Sequence, residues 1–273
     1  MKYKNKILLI FIVFLIFSLD LYPQFSPEEL QARNYWERFL KIADIVSSED
    51  IGEGVTKPKK LLLKDATREA YAVWKSPSGI GAGVSDKWEA EIAAYKMNKL
   101  LGLNMVPPTV ERRLGGRKGS LQLWVDVEIS ELERYKKNIQ IPSEKIESCD
   151  KARYLQRAFD SLIANTDRSQ QNIRYTKDWR LILIDHSRSF RTQRFYVDQL
   201  IYGKSGMKKD LCFLQLPQEF IDKLRSLTYE KIKKATSPYL TYDEINACLR
   251  RTKLILKEVD DMIEERGKEN VLY

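Results

Sequence analysis

The chain has few of the residues that build hydrolase triads, disulfide frameworks or zinc sites. Its 273 residues include a single histidine, His186, and three cysteines, Cys149, Cys212 and Cys248. A lone histidine excludes a His-based hydrolase triad with a separate acid loop. The cysteines allow at most one intramolecular disulfide, and their wide spacing does not match metal ligands. These absences leave carboxylates, amides and lysines as the candidates for chemistry.

The sequence also lacks repeats and clustered basic patches. Hydrophobic residues make up 43% of the chain, which also contains 14 tyrosines, and this is ample for the core of one two-lobed domain. The net charge is +9, but the basic residues are scattered and do not alternate with aromatics. This distribution favours a solvated basic surface over nucleic-acid binding, and it is compatible with an acidic substrate or an anionic membrane surface.

The N-terminal segment has the pattern of an export signal. Lys2, Lys4 and Lys6 precede an unbroken apolar run at residues 7–17. The run is short for a membrane-spanning helix and no Ala-x-Ala site follows it, so a cleaved signal peptide and an anchor through residues 7–19 both remain open. No cysteine lies near the run, so a lipoprotein anchor is not supported. The basic flank predicts that the rest of the chain is exported.

Two capping boxes predict where helices begin. Ser26 and Glu29 open a leader helix that we expect to continue through Val46 and to pack on the small lobe. Thr241 and Glu244 open the long final helix. The apolar stripes of both helices are interpreted as core.

A polar loop carries the most informative residues. Asp167 and Asn172 lie five residues apart, after a helical stripe that begins near Lys151, and the apolar run LILI at 181–184 delivers Asp185. Phosphoryl transfer needs a carboxylate to orient the attacking hydroxyl and metal ligands that bridge the nucleotide phosphates. A carboxylate that ends a buried strand is costly unless it is paired or binds a cation. The pattern indicates a kinase with Asp167 as base and Asn172 and Asp185 on the metal, although ordinary polar loops have a similar composition.

Residues upstream supply the expected phosphate contacts. Gly52 and Gly54 precede a predicted hairpin whose second strand ends at Lys75. Glycines let backbone N–H groups approach phosphates closely, and a kinase places a lysine at the end of such a strand. The alternative interpretation is that the glycines serve only as turn residues and the lysine is solvated.

A helix predicted from near Asp86 to Gly102 offers a partner for that lysine. Glu91, or its competitor Glu89, could pair with Lys75 and hold its ammonium against the phosphates. The alternative for either glutamate is a solvated helix face.

Two segments resemble known kinases. The motifs EIAAY, LLGL and VPPTVER within residues 91–112 are very similar to secretory-pathway kinases of the Golgi casein kinase type. The loop NTDR at 165–168, with Asn172, resembles that of HipA-type bacterial kinases and type II phosphatidylinositol 4-kinases. The resemblance covers residues 50–190 with motifs and implies Glu91 instead of Glu89.

The resemblance implies an α+β, two-lobed atypical protein-kinase-like fold with a small β-rich N-lobe and a mostly helical C-lobe. The expected boundaries are 1–22 for the export segment, 23–49 for the leader helix, 50–127 for the N-lobe and 128–273 for the C-lobe. Asn172 stands where the Golgi enzymes carry an acidic residue, so their manganese preference and substrate motif are not carried over.

The implied activity is transfer of the γ-phosphoryl group of ATP, with Mg²⁺ or Mn²⁺, to a hydroxyl outside the cytoplasm. The acceptor is open between a protein, a lipid headgroup and a sugar. Two alternatives also remain, a nucleotide-binding pseudokinase that serves as an interaction module and a lipid kinase at the membrane surface. Asp185 is followed by the residues HSRSF at 186–190 instead of the glycine-containing segment of ordinary protein kinases, so their switchable activation segment is not expected.

Overall fold

The computed structural model describes residues 26–52, 58–81 and 84–273. The predicted export segment and Gly54 lie outside these residues. The helices are α1 (Pro27–Gln31), α2 (Arg33–Ile42), α3 (Trp88–Leu101), α4 (Glu131–Lys136), α5 (Ile146–Ile163), α6 (Arg194–Asp198), α7 (Gln218–Arg225), α8 (Tyr229–Thr236) and α9 (Tyr242–Arg266). The strands are β1 (Asp44–Asp50), β2 (Lys59–Lys64), β3 (Glu69–Lys75), β4 (Ser78–Gly81), β5 (Val84–Lys87), β6 (Thr109–Leu114), β7 (Arg117–Leu123), β8 (Ile129–Ser130), β9 (Ile173–Tyr175) and β10 (Leu181–Leu183).

The small lobe is built on an antiparallel sheet of five strands in the order β1-β2-β3-β7-β6. Phe39 and Leu40 of α2 pack on one face, against a core that includes Ala72 and Trp74 of β3. This confirms the predicted hairpin and the packing of the leader helix on the small lobe. Because side chains alternate along a strand, Lys75 faces the opposite side of the sheet, toward the cleft.

The prediction that the leader helix continues through Val46 is wrong. The helix ends at Ile42, because Ala43 adopts an extended conformation with ψ 145°. The next residues form β1, which pairs with β2 as an edge strand and leaves Val46 55% exposed. Pairing of the backbone with the sheet therefore outweighs the helical spacing of apolar residues.

Helix α3 connects the two lobes and positions the predicted glutamate. It begins at Trp88, directly after β5, and ends at Gly102, whose φ of 69° forms a left-handed cap. This confirms the predicted helix and its stop. Its buried face includes Glu91 beside small apolar residues, whereas Glu89 is only partly buried.

The large lobe packs α5, α7, α8 and α9 around a second hydrophobic core that also includes residues of α3. Both predicted capping boxes are formed, at Ser26 and at Thr241. All three cysteines are free, and Cys149 and Cys248 are buried. Within the part of the chain described, no helix combines the length and apolar character needed to cross a membrane.

Candidate active site

Three predicted residues meet in the cleft between the lobes. The Nζ of Lys75 donates to Glu91 Oε1 at 2.8 Å and to Asp185 Oδ1 at 2.9 Å. The side chain of Glu91 is only 3% exposed. Strand β3, helix α3 and the segment after β10 thus bring together residues as far as 110 positions apart. Glu91, and not Glu89, is the partner of the lysine.

The charges of this triad depend on one another. Burial would by itself lower the pKa of Lys75, but the carboxylates of Glu91 and Asp185 outweigh it and raise this pKa above its usual range. Burial acts in the opposite direction on Glu91, where Lys75 and His186 outweigh it and hold the pKa far below its ordinary value of 4.5. Both groups are therefore charged at neutral pH.

His186 joins the triad to the loop that carries Asp167 and Asn172. Its backbone N–H donates to Glu91 Oε2 at 2.8 Å, and its ring nitrogen Nε2 lies 2.8 Å from Arg168 Nη2. An arginine can only donate, so Nε2 is the acceptor and Nδ1 carries the proton, 3.7 Å from Glu91 Oε2. Burial and the nearby Arg168 lower the pKa of His186, which keeps the ring neutral. These contacts indicate a structural role for His186.

Arg168 is the centre of the loop that carries Asp167 and Asn172. Its Nε and Nη2 donate to the two oxygens of Asp160 at 2.9 and 3.0 Å, and its Nη1 donates to the carbonyls of Asn172 and Ile184 at 2.9 and 2.7 Å. With His186, these contacts use all five N–H donors of the guanidinium. The side chain is 1% exposed. Arg168 thereby fixes the loop that carries Asp167 and Asn172 against the end of β10.

The sequence pattern does not single out this role of Arg168. A signal is present, because Asp160 lies within the buried stripe of α5 and a buried carboxylate needs a partner. The identity of that partner depends on tertiary packing.

The two predicted metal ligands lie side by side. The N–H of Ile184 donates to the carbonyl of Asn172 at 3.2 Å, so that Asp185 follows directly beside Asn172. The Nδ2 of Asn172 donates to the carbonyl of Asp167 at 3.2 Å, which leaves Oδ1 as the acceptor end of this amide.

Asp185 has a φ of 60°. This left-handed conformation is uncommon for a residue other than glycine, and such strain concentrates at functional sites.

Asp167, the predicted base, is accessible to an acceptor. Its side chain is 45% exposed, and its Oδ2 lies 3.3 Å from Arg188 Nη1. Partial burial raises the pKa of Asp167 above its ordinary value despite the opposing effect of Arg188, and Asp185 and Asp86 raise it further. A carboxylate that is more basic than usual is suited to orient a hydroxyl and accept its proton.

The predicted phosphate-binding glycines are only partly described. Gly52 lies in the connection from β1 to β2 with a φ of 72°, a conformation that favours glycine. A Cβ added there would meet no atom within 4 Å, so the backbone conformation explains the glycine better than crowding does. The cradle of Gly52 and Gly54 stays a prediction.

The donor set fits a hard divalent cation. Asp185 offers carboxylate oxygen and Asn172 offers amide oxygen, the ligand types that Mg²⁺ and Mn²⁺ prefer. Among residues 26–52, 58–81 and 84–273, no group of three His, Cys, Asp or Glu side chains converges on a metal position. Mg²⁺ in nucleotide enzymes typically takes one or two protein ligands together with phosphates and water, which matches this pair.

Comparison with solved structures finds similar chains. The structure of hydra Fam20 with sugar aligns with 86% of this chain and 90% of its own, at a TM-score of 0.65 and 20% sequence identity. The Helicobacter pylori proinflammatory kinase CtkA aligns with 84% of this chain and 97% of its own, at a TM-score of 0.48 and 12% identity. No protein-family model matches the chain, and no curated protein sequence does.

The likeness to hydra Fam20 confirms the predicted α+β, two-lobed kinase-like fold. The resemblance to HipA-type and type II phosphatidylinositol kinases stays a prediction. Because one fold hosts many functions, the activity has to be inferred from the site itself.

Proposed function

We propose that this protein is a kinase that transfers the γ-phosphoryl group of ATP to a hydroxyl acceptor outside the cytoplasm. The observation that carries the proposal is the meeting of Lys75, Glu91 and Asp185 within hydrogen-bond distance, beside the loop of Asp167 and Asn172. Each residue type is one that phosphoryl transfer requires, in the chain order that kinases use.

Lys75 and Glu91 act on the nucleotide. The ammonium of Lys75 contacts the phosphates, and the buried Glu91 keeps it extended into the cleft. Asp185 and Asn172 would hold the cation, which would supply positive charge to neutralise the phosphates.

Asp167 acts on the acceptor. Its exposed carboxylate orients the attacking hydroxyl and accepts its proton as the bond to the γ-phosphorus forms. The bond between that phosphorus and the β,γ-bridging oxygen of ATP breaks, and ADP leaves with the electron pair. Arg168 supports this step, because its contacts hold the loop of Asp167 and Asn172 in place beside Asp185.

The export part of the proposal rests on the sequence. Lys2, Lys4 and Lys6 before the apolar run at 7–17 favour translocation of the domain that comes after the run. The acceptor is proposed as a protein, with a saccharide or a lipid headgroup as further candidates.

The test is incubation of the purified protein with ATP labelled at the γ or at the α position and with protein, saccharide and phosphoinositide acceptors. We expect label to enter one class of acceptor from γ-labelled ATP only. If the protein binds nucleotide but transfers phosphate neither to an acceptor nor to itself, the result would instead support the pseudokinase that serves as an interaction module.

A further inference from the structure

A series of ionic contacts runs from β5 to the proposed base. The Nε of Arg188 donates to Asp86 Oδ1 at 3.0 Å, and its Nη2 reaches Asp86 Oδ2 at 3.4 Å. The third nitrogen, Nη1, lies 3.3 Å from Asp167 Oδ2. Asp86 belongs to β5, directly before α3, and Asp167 belongs to the loop after α5. One guanidinium thus joins carboxylates of two separate segments.

Further contacts hold Asp86 in place. Asp86 is buried and also accepts from Ser187 Oγ at 2.8 Å. The N–H of Lys87 donates to the carbonyl of Ser187 at 3.0 Å, which attaches the segment after Asp185 to β5. Arg188, itself 20% exposed, therefore has little freedom to move away from Asp167.

We propose that Arg188 is a positioning residue, which holds the carboxylate of Asp167 in its productive orientation by joining it to the buried Asp86 of β5. The inference rests on the proposed kinase function. At 3.3 Å, the contact to Oδ2 is slightly longer than an ordinary N–H···O bond, and it leaves Oδ1 to accept the hydroxyl proton.

The geometry favours arginine at this position. The planar guanidinium uses one side for Asp86 and presents the remaining nitrogen to Asp167, whereas a lysine ammonium is a single point charge. A purely structural ion pair would affect stability alone. A positioning role affects turnover, because misplacement of a reacting group by about 1 Å can cost roughly 100-fold in rate.

The experiment measures kcat and the KM for ATP of the full-length protein with the acceptor found for the wild type. The variants are Arg188→Ala, Arg188→Lys, Asp86→Ala and the Arg188→Ala/Asp86→Ala double variant. Arg194→Ala is the matched control, because this arginine is 95% exposed and forms its ion pair within its own helix, with Asp198. Thermal unfolding checks that each variant is folded. If Arg188→Ala is not folded, Arg188→Lys is measured in its place.

We expect Arg188→Ala to lower kcat about 10- to 100-fold, with the KM for ATP within about threefold of the wild type. Arg188→Lys should recover part of the loss, and Arg194→Ala should match the wild type. The double variant should lose no more than either single variant, because both break the same connection.

A kcat for Arg188→Ala within about twofold of the wild type, or losses that multiply in the double variant, would overturn the positioning role alone. A wild type that transfers no phosphate would overturn the proposed function, and this role with it.

Discussion

Replacement of Glu91 by glutamine tests the buried ion pair on which the site is built. The amide has the same shape but a single oxygen, so either Lys75 Nζ or the His186 N–H then faces an NH₂ group where it had an acceptor. A buried donor without a partner costs roughly 1–3 kcal/mol, and breaking a buried ion pair costs roughly 3–5 kcal/mol. Asp185 remains 2.9 Å from Lys75 Nζ and compensates part of the charge. We therefore expect a loss of about 2–3 kcal/mol in the free energy of unfolding at pH 7.

Thermal and urea unfolding measure this loss. For a chain of this size, each kcal/mol lowers Tm by roughly 2–4 °C, which predicts a fall of roughly 5–10 °C. Glu89→Gln is the control, because Glu89 lies on the same turn of α3 but is only partly buried. This variant should stay within about 0.5 kcal/mol of the wild type.

The pH dependence gives a second criterion. The folded protein holds the pKa of Glu91 below its ordinary value of 4.5, chiefly because the attraction of Lys75 outweighs burial. Its stabilising contribution is therefore complete above the pKa of the unfolded state and is lost as the pH falls toward that of the folded state. The difference between wild type and Glu91→Gln should shrink below about pH 4.5. A loss at pH 7 no larger than that of Glu89→Gln, or a difference that does not change with pH, would refute this account of the ion pair.

Three further predictions address ligand binding, proton transfer and topology. ATP with Mg²⁺ or Mn²⁺ at about 100 times its Kd should stabilise the protein by about 2.7 kcal/mol, and Asp185→Ala should remove the metal-dependent part. A Tm unchanged by nucleotide with either metal contradicts both the kinase and the pseudokinase. Since burial raises the pKa of Asp167, the acid limb of kcat/KM should lie above pH 3.8, and a limb at or below that value contradicts the assignment. Alkaline phosphatase fused after Tyr273 should be active and a fluorescent protein that folds only in the cytoplasm should be dark, and the opposite pattern refutes export.

Features set by local sequence were predictable. The capping boxes at Ser26 and Thr241 and the stop at Gly102 depend on residues within one or two turns, and all three are present. The kinase-like order of Lys75 and Glu91 was also apparent, because each follows an apolar pattern with a recognisable period.

Features set by tertiary packing were not predictable. Arg188 meets Asp86 from 102 positions away, and Arg168 meets His186 across the turn after β10. No periodicity marks such pairs, since their partners are chosen by how the lobes pack. Val46 shows the same limit, because pairing of β1 with β2 decided its conformation against its helical spacing.

The most direct test of the central claim is a comparison of phosphate transfer by the wild type and by Asp167→Asn at equal occupancy with MgATP. The amide preserves the size of the side chain and removes the carboxylate that accepts the hydroxyl proton. We expect turnover to fall about 10²- to 10⁴-fold, while ATP affinity stays within about threefold. Equal turnover by the two proteins would contradict the assignment of Asp167 as the base, and a wild type that binds MgATP but transfers no phosphate would contradict the kinase itself.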